Sequence, residues 1–302
     1  MGAATTPRRL LAVGGVCTTT IYQVPHVPAP PDKVLATRAC RVVDGMAASA
    51  ACAFVKLGGA AQVWARTGDD SDGEGIRRDL GAEGIDVDGI RAVPCARSSH
   101  AAVLVDGDGQ RLVVPFHDDA LDPSVEWLPL AAVEGVDFVH CDPRWPEGAR
   151  VALLEARRLG IPGMLDGDVA PLDVLRQLVP LATHAVFSDA GLRTYTGCAD
   201  VAEGLRHVAA EHSGHIGATC GAEGYIWLEQ GRLHCVAAPS VVVVDTLAAG
   251  DVFHGAFALA LAEGRPVEAA ARFACIAASL KCTRFGGRLG CPTREEVVVA
   301  GG

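Results

Sequence analysis

The chain's 302 residues, half of them hydrophobic and 21% charged, are enough for one large α/β domain or two small ones around a sizeable core. A formal net charge of −10 excludes the basic face that nucleic acid or an anionic membrane would need, though a few local donors can still bind phosphate. No segment carries the roughly 18 apolar residues of a membrane span.

Eleven cysteines and ten histidines are scattered, with no Cys-x-x-Cys pair and no zinc spacing, which reads as reduced thiols in a cytoplasmic protein. The first nine residues lack the apolar core of a secretory signal. Met1-Gly2-Ala-Ala-Thr-Thr6 fits a myristoylation pattern only by the abundance of Ala, Gly and Thr.

In chain order, residues 10–16 read as a strand, with Gly14-Gly15 permitting close backbone approach. A loop with Pro25, Pro28, Pro30 and Pro31 follows, then a short strand at 34–43 before Gly45. Residues 47–57 form a small-residue helix and 62–66 the next strand. The alternating runs 98–106 and 111–116 flank Gly107-Asp108-Gly109 and predict a hairpin. From residue 131 strand and helix patterns alternate, with strands at 136–140, 163–165, 185–187, 216–219 and 241–244. That alternation implies a parallel sheet covered on both faces, with the hairpin and the strand near residue 38 set aside as a small β lid. Ligands in such folds sit at the carboxyl ends of the strands, where Asp142, Asp166 and Asp251 fall.

The densest signal is Val241-Val-Val-Val-Asp245-Thr-Leu-Ala-Ala-Gly250-Asp251-Val-Phe-His-Gly255. Four β-branched residues read as a buried strand, and the apolar residues after Asp251 recur at helical spacing until Gly264. The backbone N–H groups of Ala248, Ala249, Gly250 and Asp251 then start a helix unpaired, as an anion and typically a phosphate site. A carboxylate there repels the anion that the amides attract. Asp251 is either a plain helix cap or a base that takes a proton beside a phosphoryl group.

The acidic run Asp69-Asp70-Ser71-Asp72-Gly73-Glu74 does not make a calcium loop, because Gly68 stands where the first ligand belongs and Asp79 where the bidentate Glu does. Helix capping and solvation account for it. Neither a Gly-x-Gly-x-x-Gly fingerprint nor a Walker lysine is present.

Asp245-Thr-Leu-Ala-Ala-Gly-Asp251 resembles the signature of the ribokinase-like (PfkB) carbohydrate kinases. So do Gly58-Gly59 through Asp70, Gly73-Glu-Gly75, Gly84-Ile-Asp86, Thr219-Cys-Gly221-Ala-Glu-Gly224 and the tail from Ala277-Ala278 through Gly286 to Glu296, together spanning residues 10–298. Asp142-Pro-Arg144-Trp145, Leu165-Asp166-Gly167-Asp168, Ser188-Asp-Ala-Gly191 and Leu280 to Arg288 are similar to the branch that phosphorylates 6-deoxy-6-sulfofructose.

The resemblance implies a single ribokinase-like domain over residues 1–302: a doubly wound, mostly parallel sheet flanked by helices, with a small lid from about 17–44 and 98–117. It implies an ATP-dependent sugar kinase, on a ketose or a sulfofructose-like acceptor. Asp251 is the general base, and the amides of Ala248, Ala249 and Gly250 steady the transferring charge. Thr219, Gly221, Gly224, Ala274, Ala277 and Gly286 flank the nucleotide. Thr19, Lys33, Asp44, Gly45, Arg144 and Asp166 line the acceptor pocket, with Asp168 beside them. Arg144 and Lys33 are the cations for an anionic end of the sugar.

Magnesium accompanies ATP, Asp245 keeps open a monovalent cation such as potassium, and two copies pair through the lid. The chain departs from the family on the acceptor side. Thr19 stands for the usual aspartate, Asp44-Gly45 for Gly-Gly, and Pro115-Phe116-His117 for a lid asparagine. Ser188-Asp189-Ala190-Gly191 replaces Asn-x-x-Glu near the magnesium. A nucleoside kinase, which would want lid aromatics such as Tyr22, Phe116 or His117, and a catalytically silent sugar sensor are the two competing readings.

Overall fold

A computed structural model describes residues 6–29, 33–107 and 109–301. Residues 1–5 of the chance myristoylation match and Asp108 of the hairpin turn fall outside these residues. The first half contains β1 (Arg9–Val13), β2 (Cys17–Gln23), β3 (Arg38–Asp44), α1 (Met46–Lys56), β4 (Ala60–Gly68), α2 (Ser71–Ala82), β5 (Ile90–Val93), β6 (His100–Val105) and β7 (Arg111–Phe116). There follow β8 (Phe138–Cys141), α3 (Pro146–Leu159), β9 (Gly163–Gly167), α4 (Leu172–Leu178), β10 (His184–Ser188), α5 (Asp189–Thr196) and α6 (Val201–Ala209). The chain ends with β11 (His215–Thr219), β12 (Tyr225–Glu229), β13 (Arg232–Val236), α7 (Ala249–Ala262), α8 (Val267–Cys282) and α9 (Arg294–Gly301).

Nine strands form the main sheet in the order β13-β12-β11-β10-β9-β8-β1-β4-β5, parallel except where β12 pairs with β11 and β13. Helices cover both faces, and strand β1 shows why it reads as unbroken apolar sequence. Leu10 and Ala12 enter the core under α1, α7 and α8, while Leu11 and Val13 enter the opposite core under α3. Each such fully buried leucine contributes roughly 1.5–3 kcal/mol of hydrophobic stabilisation. The second sheet, β3-β2-β6-β7, carries the expected β6–β7 hairpin and the strand near residue 38. Asp70 caps α2 by accepting from the Gly73 N–H at 2.8 Å, as expected of the acidic run.

The valine run is a correction. Residues 241–244 are irregular, and Val242 is 84% exposed. The Val244 and Asp245 amides donate to the Cys282 carbonyl rather than to a neighbouring strand, and Val243 packs against Gly109 of the hairpin. β-branching follows from a half-covered, extended surface as readily as from a sheet, and pattern alone does not separate the two. The last strands are instead the β12–β13 hairpin, whose alternation the strand-then-helix reading passed over. The first strand also stops at Val13, and Cys17 begins a separate strand in the small sheet.

Candidate active site

Three tight turns converge at the carboxyl ends of β1, β3 and β8. Asp142 is fully buried there and gathers their amides: Gly15 N–H at 2.8 Å, Ala47 N–H at 2.9 Å and Arg144 N–H at 2.8 Å. Only glycine allows this closeness. A Cβ on Gly45, where φ is +109°, would stand 2.5 Å from the Gly15 carbonyl oxygen. A Cβ on Gly14, at φ +148°, would overlap the Asp142 carboxylate. Burial lifts Asp142 to about 6, against the lowering effect of the Gly15 and Arg144 amides and of the Arg144 charge.

Ala248 opens α7 in the left-handed conformation, φ 62°, with no side-chain cap. The Ala249 N–H is taken by the Thr246 carbonyl at 3.2 Å. Among the described residues no backbone carbonyl accepts from the Gly250 or Asp251 N–H, and open space surrounds the position of a Cβ on Gly250. Of the donors expected for an anion, Ala249 is therefore withdrawn, and those of Gly250 and Asp251 are left open. Asp251, half-buried in the first turn, points no hydrogen bond back to its own helix. Burial, then the carboxylates of Asp166, Asp44, Asp168 and Asp142, push its carboxyl well above the ordinary range.

One turn further along α7, His254 places Nδ1 3.0 Å from Asp166 Oδ2, both side chains being almost fully buried. Burial opposes charge on His254, but the Asp166 carboxylate together with the Val186 and Gly250 backbone raises the imidazole above its usual value. The His140 ring lies 5.7 Å from that of His254, and burial drives it down to about 3, so it is neutral. Sequence reasoning had passed over His254, although its position three residues after Asp251 puts both on one helix face.

The remaining residues expected on the acceptor side divide into an acidic group and a cationic one. Asp44 is buried and accepts from Ser49 Oγ at 2.6 Å; Thr19 is buried, its Oγ1 3.6 Å from Cys17 Sγ. Burial first, then Asp44, pushes the Cys17 thiol to about 12, and the charges of Asp251 and Asp142 also reach it. Cys17 thus belongs to this pocket as well. The Arg144 guanidinium donates to the Val169 carbonyl at 3.0 Å and to Asp168 at 3.3 Å, while the Arg144 N–H serves Asp142. Arg66, stacked over Trp145 at 4.7 Å, adds a second cation at this rim. Burial and then Arg66 lower the His117 imidazole. Lys33 is exposed.

Of the residues expected to flank a nucleotide, Thr219 ends β11, Gly221 starts a single 3-10 turn at φ +55°, and Gly224 closes it at φ +96°. A Cβ on Gly224 would meet the Val236 carbonyl oxygen at 2.0 Å, so that glycine serves the turn's packing on β13. Gly286 and Gly287 both donate to Asp245, at 2.9 and 2.8 Å. Ala274 and Ala277 have no exposed surface and lie in the core, so α8 presents other atoms to any nucleotide there.

The chain matches the pfkB family carbohydrate kinase profile over residues 8–294. It is 30% identical over 293 residues to a ribokinase of Bacillus subtilis (strain 168), covering 96% of this chain and 98% of that one. It is 28% identical over 306 residues to an ATP-dependent ribose-1-phosphate kinase of Halopiger xanaduensis, covering 96% of each. A crystallised ribokinase candidate from Agrobacterium tumefaciens superposes with a TM-score of 0.94 at 42% identity, over 98% of this chain and 97% of that one. Arabidopsis thaliana ribokinase, complexed with ribose and ATP, shares the fold at 23% identity with a TM-score of 0.84, over 98% and 99% of the chains. The chain belongs to the pfkB family of carbohydrate kinases, phosphotransferases that act on an alcohol group.

Proposed function

We propose that this protein transfers the γ-phosphoryl group of ATP to a sugar hydroxyl, with Asp251 as the general base. The carrying observation is the juxtaposition at the start of α7: a carboxyl held well above its ordinary pKa beside the unpaired amides of Gly250 and Asp251. A raised carboxyl accepts a proton more readily than a free carboxylate. The amides offer fixed donors to the charge that builds on the transferring group. The acceptor hydroxyl gives its proton to Asp251 as its oxygen bonds to phosphorus, and the departing diphosphate keeps the bridging oxygen's electron pair.

The acceptor side has Asp44, Asp166 and Thr19 for sugar hydroxyls, with Gly45 allowing close approach. Arg144 is the cation offered to an anionic end, as in a sulfofructose-like acceptor, and Lys33 is its expected companion. Arg144 is already engaged by Asp168 and Val169, so an anionic group competes with those contacts and a neutral ketose does not. Thr219, Gly221, Gly224 and Gly286 flank the nucleotide in this reading. Magnesium, when bound with ATP, would be held largely by the nucleotide phosphates and water and would neutralise phosphate charge.

The small sheet is the lid of a single catalytic domain. The edge strand β7 leaves Leu112, Val113 and Val114 41–57% exposed, which favours pairing of two copies there. Free thiols at all eleven cysteines accord with a cytoplasmic location. A nucleoside acceptor is less well served, because Phe116 is already stacked between His100, at 4.8 Å, and Arg97, at 4.5 Å.

The test is phosphate transfer from ATP to a panel of ketoses, sulfonated sugars, ribose and nucleosides, by the intact protein and by Asp251→Asn. Turnover on a sugar that falls roughly 10²–10⁴-fold in the variant supports the assignment. Turnover within tenfold removes Asp251 as base. Binding of sugar without turnover by the intact protein makes it a sensor.

A further inference from the structure

Asp245 is completely buried, and its carboxylate is fully used: Oδ1 accepts the Leu247 N–H at 2.8 Å, and Oδ2 accepts the Gly286 and Gly287 N–H groups. Its main-chain oxygen faces a different partner. Lys281, in the last turn of α8 and itself without exposed surface, donates Nζ–H to that oxygen at 2.5 Å. The same Nζ lies 3.6 Å from Asp245 Oδ1.

A free monovalent cation beside Asp245 would need those two oxygens, and an ammonium already faces both. A second positive charge would sit against the first in a region from which water is excluded, where repulsion is strong. The residues present therefore do not fit the potassium ion that Asp245 keeps open in the sequence.

We infer that the Lys281 ammonium is this protein's own monovalent cation, covalently supplied to the Asp245 turn, so that phosphoryl transfer runs without potassium. The ammonium and the ion share a single charge and a preference for carbonyl oxygens, but the lysine's is delivered by α8 and cannot dissociate. Its task is to hold the Asp245 carbonyl, and through residues 245–248 the entry into α7. This makes Lys281 a positioning residue, since it touches neither reactant. Burial brings the pKa of Lys281 down overall, with the Asp245 charge and hydrogen bond opposing that fall. A lysine kept only to fill space would be replaceable by methionine without consequence for the turn.

The inference rests on the kinase reading, so its test has one arm that needs no turnover. At constant ionic strength near 0.1 M, made up with choline, sodium or potassium chloride, the wild-type kcat changes less than about twofold, since no ion enters. Lys281→Met loses about tenfold or more in kcat in choline and recovers in potassium or ammonium chloride, with KM for the sugar moving less. Thermal melting gives the independent arm: potassium stabilises Lys281→Met over choline but leaves the wild type unmoved.

Potassium activation of the wild type by tenfold overturns the inference. So does a folded Lys281→Met that keeps full kcat in choline or melts identically in every salt. If methionine does not fold, Lys281→Gln takes its place, and the wild-type salt series alone still decides. Absence of turnover in all salts, with the melting difference intact, would count against the kinase reading and not against the cation.

Discussion

His254 stands one helical turn beyond Asp251 and sets its Nδ1 3.0 Å from Asp166 Oδ2, so a buried ion pair backs the carboxyl assigned as base. Asp166 raises the Asp251 pKa, and a positive charge on His254, facing Asp166, would offset part of that effect. Replacing His254 by Gln leaves Asp166 unbalanced, and Asp251 then holds its proton to higher pH. The acid limb of the kcat/KM profile should move upward by about one pH unit, with kcat at its plateau reduced less. A limb that stays in place would mean that His254 only fills space.

Asp251→Asn should separate stability from turnover. The carboxylate lies among those of Asp166, Asp44, Asp168 and Asp142, all of which disfavour its charge. Removing it relieves repulsion in the folded state, so Tm should hold or rise by about 2–4 °C while transfer collapses. A fall in Tm on differential scanning calorimetry would point to a structural cap instead.

Two glycines should behave oppositely. Gly45→Ala forces a methyl to within 2.5 Å of the Gly15 carbonyl at a positive φ, which should cost roughly 2–3 kcal/mol in urea unfolding. Gly250→Ala meets nothing within 4 Å and sits in a helix, so stability should be kept or gain about 0.5–1 kcal/mol. Its methyl enters the space over the free amides, and transfer should fall at least about tenfold. Full activity in Gly250→Ala would place the phosphate elsewhere.

Acid should weaken the fold through His140. Burial depresses its folded pKa to about 3 from the ordinary 6.5, so as pH falls the unfolded chain takes the proton first. This contribution to stability is complete above pH 6.5 and is lost as pH drops toward 3. At about pH 5 it amounts to about 2 kcal/mol, and His140→Met should lose correspondingly less stability than the wild type between neutral pH and that point. Parallel losses in the two proteins would remove His140 from the account.

The sequence carried much of the scaffold because both faces of the main sheet are covered, so its parallel strands read as apolar runs. It carried the start of α7 because small residues, a glycine and an aspartate occur together there. It misled at residues 241–244, where exposed valines along an extended loop look like strand. It was silent on how Asp142 collects three amides from three separate turns, since that requires knowing that the turns meet. Lys281 was legible in principle: it follows Ala270, Ala274 and Ala277 on the inward face of α8, and a lone cation there demands a partner. The hold of Asp168 on Arg144 was not legible either, because Asp168 reaches it from the end of a neighbouring strand.

The Thr246 carbonyl receives two donors, the first helical amide of α7 at Ala249 and the guanidinium of Arg111 on β7 at 2.8 Å. Thr246 Oγ1 reaches back to the Gly109 carbonyl at 3.4 Å. The β6–β7 hairpin, proposed as lid, and the peptide that precedes α7 are thus fastened at one atom. Grafting a foreign hairpin to admit another sugar would loosen the grip on ATP as well, unless Arg111 travels with the graft.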